Sequence, residues 1–310
     1  MRVLVTGATG FVGRAVVGQL TMAGHSVIGL ARTSKPCQCE LRTGDILDQA
    51  ALDHAVEGAD AVCHLAALTL VRQSFEEPVR YFRVNVTGTL NLLDAMNAEA
   101  RRSGRMLRLV FASTGAVYGA PEAQPITEAQ EPAPGNPYGA SKLAAEAAIG
   151  YQAALGAISA ITLRTFNVAG AADGHGDPDT SRIIPKTLLV AAGQAGHLNV
   201  NGDGSAIREY VHVRDLAWAY LVALDAAGPA GHRIYNVGGG VGVSVRELIE
   251  AAERITGRPV PVRWGPPASE PRELRADSSR IRTDLGWQPI RSSLDTIVTD
   301  AWQAMNGSVH

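Results

Sequence analysis

The 310-residue sequence predicts an α/β protein, a doubly wound parallel sheet followed by a smaller α/β domain, and three observations predict it. Short apolar runs alternate with longer helical patterns through the first half. A glycine-rich turn joins the first run to the first helix. Near residues 170–181 the chain becomes polar and rich in Gly and Asp, as a loop leaving the sheet would. Alternation of this kind builds βαβ units whose parallel strands are covered by helices on both faces. Single cores rarely grow beyond about 250 to 300 residues, so the length accommodates a second, smaller core. The expected boundaries are 1–166 for a Rossmann-type NAD(P)-binding domain, with about 205–235 returning to it, and 167–310 for a mainly substrate-binding domain.

The first strand is the run at 3–5, and Gly7-Ala8-Thr9-Gly10-Phe11-Val12-Gly13 follows it directly, opening a helix that bears Val12, Val16, Val17 and Leu20. Glycines here permit the tight turn, let the backbone approach a pyrophosphate at the helix N-terminus, and let helix and sheet pack closely. Gly7, Gly10, Phe11 and Val12 are therefore expected against a dinucleotide. The second strand, 26–30, ends in Ala31-Arg32 where an acid would read the ribose hydroxyls of NAD. Arg32 either stacks on adenine, is solvated, or pairs with the 2′-phosphate of NADP, so NAD and NADP both stay open. Asp45-Ile46, after the next turn, is expected at the adenine.

Further strands are read at 61–65, 107–112 and 159–163. Over 76–100 the apolar positions Val79, Phe82, Val86, Leu90, Leu93 and Met96 step by three and four, which predicts one long amphipathic helix, free to serve a partner subunit. The arginines 101, 102, 105 and 108 after it read as a solvated helix end. Tyr235-Asn236-Val237 leads into three glycines, a tight connection, and then Ser244-Val245-Arg246-Glu247, a capping box that opens a helix carrying Leu248, Ile249, Ala252 and Ile255.

Composition narrows the function. Charged residues are 19% of the chain and hydrophobic ones 46%, with a net charge of −2, which points away from disorder and from a nucleic-acid partner. No stretch approaches the roughly 20 apolar residues that span a bilayer, and Thr6-Gly7 interrupts the first run before it reaches signal-peptide length. The expectation is a soluble, cytoplasmic protein. Cys37, Cys39 and Cys63 are an odd set whose first two members are poorly placed to pair, which fits a reducing compartment, and no second ligand pair completes a metal site.

Tyr138 and Lys142 lie four residues apart and so share one helix face. A tyrosine titrating near about 10 is a poor base at neutral pH, but a nearby ammonium favours its anion. Upstream, Ser113-Thr114 ends a strand at the sheet's carboxyl edge, where a hydroxyl can hold a substrate oxygen.

Taken together, the segments 7–13, 44–46, 64–67, 85–89, 113–119, 136–142, 163–171, 208–216 and 284–287 resemble the extended short-chain dehydrogenase/reductases of the NAD-dependent epimerase/dehydratase type over nearly the whole length. The resemblance implies Tyr138 as acid/base, Lys142 as its electrostatic partner and ribose ligand, and Thr114 as the hydroxyl sharing the sugar O4 proton. It places Leu65, Ala66, Ala67, Asn85 and Phe166 at the cofactor and Asn167 and Arg208 at the substrate's diphosphate. It further implies a tightly held nicotinamide cofactor, a homodimer built from the long helix and the Tyr138 helix, and 4-epimerisation of an NDP-sugar, a UDP-hexose first of all.

Three positions depart from the pattern. Gly115-Ala116 replaces the acidic pair of the dehydratases, leaving no acid to expel a C6 hydroxyl. Pro267 replaces a diphosphate-binding arginine, with Arg263, Arg272 or Arg275 as substitutes and Arg272 the one expected at the substrate, and Thr165 replaces a tyrosine beside the nicotinamide. The rival readings are an NADP-dependent 4-ketoreductase on the same substrate class, which Arg32 would suit, and a non-catalytic dinucleotide sensor, which would lack Tyr138 or Lys142.

Overall fold

The computed structural model describes residues 1–228, 231–267 and 271–307. Seven strands form the main sheet: β1 Arg2–Thr6, β2 Ser26–Ala31, β3 Glu40–Thr43, β4 Ala61–His64, β5 Leu107–Thr114, β6 Ile158–Thr165 and β7 Gly231–Val237. Their order is β7-β6-β5-β4-β1-β2-β3, and every neighbouring pair is parallel. The doubly wound Rossmann-type sheet read from the sequence is thus present. Its winding reverses between β1 and β4, where the carboxyl ends of an open sheet leave a crevice.

Side-chain alternation along the strands feeds two cores. Val3, Val5, Val110, Ile161 and Leu163 face helices Phe11–Met22 and Val213–Ala226, whereas Leu4, Ile28, Leu109, Phe111 and Ala160 face helices Gln49–Val56, Gly88–Ser103 and Pro137–Ala154. A third core gathers Ile184, Leu188, Leu198, Tyr210, Leu248, Ile249 and Val298 outside the main sheet. Above it lies a small sheet in which Ile207–His212 pairs with Asn167–Ala169, Gly242–Ser244 and Glu273–Leu274. The stretch 205–235 is shared out: its strand joins the small sheet, its helix packs on the main sheet, and β7 completes that sheet's edge.

One expectation is corrected. The single helix over 76–100 is instead Pro78–Phe82, a π-turn at Arg83–Thr87 and Gly88–Ser103, with Val71–Glu76 a separate helix before it. Proline has no N–H to continue an earlier helix and takes a first-turn position. The buried stripe also runs through other residues. Tyr81, Asn85, Thr89, Leu92, Leu93 and Met96 are buried, while Val79, Phe82 and Leu90 are 69%, 40% and 42% exposed. Cys37 and Cys39 stay unpaired, as expected. The irregular loop before β3 turns both inward against the first core, bringing their Sγ atoms to 2.9 Å as free thiols.

A buried ion pair ties the catalytic-side helix to the sheet. Arg164 on β6 meets Glu146 on Pro137–Ala154, with Nη2 2.6 Å from Oε2 and Nε 3.1 and 3.2 Å from the two oxygens. Ser113 on β5 donates to the same carboxylate, and the guanidinium lies 4.8 Å from the Tyr118 ring centroid. Both charges are almost wholly buried, so removing one strands the other in a low-dielectric site. Glu146→Leu is expected to cost about 3–5 kcal/mol of stability in urea unfolding, and Arg164→Met added to it to restore most of that loss.

Candidate active site

The glycine turn meets the demands of a dinucleotide cradle. Gly7 has φ +70°, a conformation L side chains resist, and a Cβ there would stand 3.0 Å from the Ala66 nitrogen. A Cβ at Gly13 would overlap the Gly7 carbonyl, so only glycine lets the helix start this close to the strand. Gly10 is the N-cap and contributes no side-chain hydrogen bond, which leaves the first helical N–H groups available to a phosphate.

Behind the turn, one chain of hydrogen bonds joins the strand ends. Thr6 Oγ1 accepts from the Leu65 and Ala66 nitrogens, both at 3.1 Å, and lies 2.7 Å from His64 Nδ1. His64 Nε2 lies 3.2 Å from Thr89 Oγ1, which donates to the Asn85 carbonyl. Burial, and after it the charge of Lys142, pushes His64 down to about 3. The ring is therefore neutral, and one arrangement of hydrogens satisfies the whole chain: Thr6 donates to Nδ1, and Nε2–H donates to Thr89.

Asn85 belongs to the same framework. It exchanges two hydrogen bonds with the Leu68 backbone and donates to Ser141 Oγ at 2.9 Å, while Ser141 donates to the Tyr138 carbonyl. It thereby fastens the 66–70 loop to the helix of Tyr138. Arg32, exposed, and half-buried Asp45 lie at the carboxyl ends of β2 and β3, which the Gly44 N–H to Ala31 carbonyl bond joins. Ile46 is buried against Gly88.

From the turn, a cavity of about 860 Å³ runs along the carboxyl edge of the sheet. Val12, Leu65 and Ala67 border it at one end, Thr114, Tyr138 and Lys142 in the middle, and Phe166, Asn167 and Arg208 beyond. Of the predicted cofactor residues, Val12, Leu65, Ala67 and Phe166 thus share one space with Thr114, Tyr138, Lys142, Asn167 and Arg208, whereas Gly7, Gly10, Phe11, Arg32, Asp45, Ile46, Ala66 and Asn85 do not line it. Arg272 does not border it. That residue lines a neighbouring depression with Asn201, Trp264 and Pro267, while Arg263 and Arg275 border neither, so among the described residues Arg208 is the cation at this end. Arg72 and Arg182 also border the cavity, and no motif in the sequence marks either.

Asn136 caps the helix Pro137–Ala154 by accepting from the Gly139 nitrogen at 2.8 Å. Tyr138 consequently stands in the first turn, where the helix dipole favours an anion. Burial holds its phenol above the ordinary tyrosine value; the Thr114 hydroxyl, donating to the phenolic oxygen, and the charge of Arg182 pull it down. The Lys142 ammonium, one helical turn on, lies over the Phe111 ring, 4.5 Å from the centroid, and Arg182 is a further cation acting on the phenol.

Burial drags Lys142 down to about 7, with Glu146 pulling upward. An unfolded lysine stays protonated to about 10.4, so unfolding takes up a proton between these values. The residue therefore destabilises the fold fully below about pH 7, and the cost fades as pH climbs toward the unfolded value. Lys142→Met is expected to raise the melting temperature by several degrees at pH 6.5 and by less at pH 9.5, read by calorimetry, while abolishing turnover.

Comparison with known proteins agrees with this geometry. UDP-glucose 4-epimerase of Streptomyces lividans is 40% identical over 97% of this chain and 94% of its own length. UDP-glucose 4-epimerase of Brucella ovis, solved in complex with NAD, superposes with a TM-score of 0.90 at 36% identity over 97% of both chains. MoeE5, solved with UDP-glucuronic acid and NAD, gives 0.89 at 30% identity over the full length of both. Residues 3–238, which hold the glycine turn, Thr114, Tyr138, Lys142 and Arg208, match a single family model, and the chain belongs to the NAD dependent epimerase/dehydratase family.

Proposed function

We propose that the protein is an NDP-sugar 4-epimerase acting on a UDP-hexose with NAD as its resident cofactor. The observation that carries this is the placement of Tyr138, hydrogen-bonded to Thr114 with Lys142 one turn on, in a cavity that begins at the glycine turn and ends at Asn167 and Arg208. The relatives named above, UDP-glucose 4-epimerases and NAD complexes, support the same reading.

When bound, NAD supplies a hydride acceptor for C4 that later returns the hydride, so no net redox results. Residues of the chain do the rest. Gly7, Gly10 and the uncapped N–H groups after them hold the pyrophosphate, and Lys142 stands within the cavity to take a ribose hydroxyl. Thr114 holds the sugar O4 and Tyr138 removes its proton, which would let the carbinol become a ketone once C4 gave up its hydride to that acceptor. Arg208 anchors the diphosphate while the 4-keto sugar turns over, and Tyr138 gives the proton back. Three free cysteines fit a reducing, cytoplasmic setting. Arg32, exposed after β2, favours the second reading, an NADP-dependent 4-ketoreductase.

The purified protein is expected to release NAD on denaturation and, by NMR, to convert UDP-glucose to UDP-galactose without added cofactor. Tyr138→Phe should lower that rate by about 10²–10⁴-fold with the cofactor still bound. Consumption of NADPH with a 4-keto sugar alone would establish the reductase instead.

The same reading includes a homodimer. Phe75, Val79, Phe82 and Leu90 are 40–69% exposed, and Tyr151 and Leu155 at the end of the Tyr138 helix are 82% and 78% exposed. Such a set of large apolar side chains exceeds the scattering usual on a monomer. Val79→Asp with Leu90→Asp is expected to halve the mass measured by light scattering while leaving the far-ultraviolet circular dichroism unchanged.

A further inference from the structure

The cavity is charged with one sign. Arg72, Lys142, Arg182 and Arg208 border it, and among the described residues that line it none is Asp or Glu. A UDP-hexose carries its negative charge on the diphosphate alone. Arg208 stands with Asn167 and Pro271, at the end assigned to that diphosphate, and Lys142 lies under Tyr138 against Phe111. Two guanidinium groups are left over.

Arg182 belongs to the Tyr138 end, and Arg72 stands on a helix tied to it. Arg182 is a cation whose field reaches the Tyr138 phenol. Its Nη1 donates to Asp177 at 3.0 Å and its Nε lies 3.2 Å from Asp179, contacts that fix the side chain from behind. Arg72 sits on the helix Val71–Glu76, whose start is pinned by Tyr81: the Tyr81 hydroxyl donates to the Leu70 carbonyl at 2.7 Å and accepts from its nitrogen at 3.1 Å. The Tyr81 ring in turn meets Tyr138 edge-on at 6.5 Å. Gly115 and Ala116, also in the lining, add no bulk between these groups.

The sugar carbon that reacts at Tyr138 is C4, and C5 is bonded to it, so the C6 substituent falls at this end of the cavity. Asp177 and Asp179 balance Arg182 from outside the lining, but among the described residues the cavity itself offers neither guanidinium group a counter-charge, and a hydroxymethyl group there would add none. A carboxylate would give both one, in the forked geometry that guanidinium groups match. We propose that Arg72 and Arg182 read a C6 carboxylate, making the substrate class a nucleoside-diphosphate hexuronic acid. The proposal rests on the 4-epimerase reading and narrows it.

The test uses the full-length protein with NAD added and two probes, UDP-glucuronic acid and UDP-glucose, in calorimetric titration and in NMR assays of C4 inversion. UDP-glucuronic acid is expected to bind and to turn over at least tenfold better in kcat/KM. Arg72→Gln and Arg182→Gln should each lower its kcat/KM at least tenfold more than that of UDP-glucose, and Arg182→Lys should do so less. Arg72 lies exposed on a short helix, so its variant reports even where Arg182→Gln weakens the fold. Preference for UDP-glucose, or equal effects of the variants on both sugars, overturns the carboxylate site and leaves the epimerase reading standing. Tighter binding of the uronate that Arg72→Gln abolishes, with neither sugar inverted at C4, supports the site and overturns the epimerase reading.

Discussion

Glu146 is the group on which the rest of the site depends. Tyr138, Lys142 and Glu146 follow one another at intervals of four along one helix, so they share a face. The last of them receives Arg164 from β6 and Ser113 from β5. One carboxylate thereby sets the depth and rotation of the helix against two strands, and its charge supports an ammonium that burial would otherwise deprotonate. Geometry and electrostatics come from the same atoms, so a change that spares the fold by removing both Glu146 and Arg164 still alters the charge state of Lys142.

A second carboxylate plays a matching part in the smaller body. Buried Glu209 accepts from the Gly240 and Ala276 nitrogens, holding the glycine loop and the segment before the Ser279–Leu285 helix together. The carbonyl of the same residue accepts from Asn167, whose strand pairs with that of Tyr210. The cleft is therefore walled by two bodies with separate anchors. One side carries the proton chemistry and the glycine turn. The other carries Arg208 and Asn167, so the nucleotide can be gripped by one wall while the sugar is worked on by the other.

Features set by local spacing were legible in the sequence. The apolar runs of β1, β2, β4, β5 and β6, the glycine turn and the Tyr138–Lys142 interval each announce themselves within a dozen residues. β3 did not, because Glu40–Thr43 is a partly exposed edge strand without an apolar run. The break at Pro78 and the π-turn were hidden by a three-and-four stepping of apolar residues that mixes exposed Val79, Phe82 and Leu90 with buried Leu93 and Met96. Thr6, His64 and Thr89 were missed because their contacts follow sheet register: Thr6 and His64 are 58 residues apart in the chain and become neighbours only when β1 pairs with β4. Arg182 was missed for the same reason, and the bond from Asn85 to Ser141 joins residues 56 apart in the chain, which no local spacing announces.

The edge position of β7 bears on how the molecule comes into being. Residues 166–212 leave the main sheet and build part of the smaller body, the helix Val213–Ala226 packs back on that sheet, and only then does the chain lay β7 beside β6. On a ribosome, where domains emerge from the N-terminus onward, the sheet stays one strand short with the flank of β6 uncovered until residue 237 is released. Parallel pairing across such a sequence gap is slow to form. The nascent chain thus spends its synthesis with an open, hydrogen-bonding strand edge beside the future cleft.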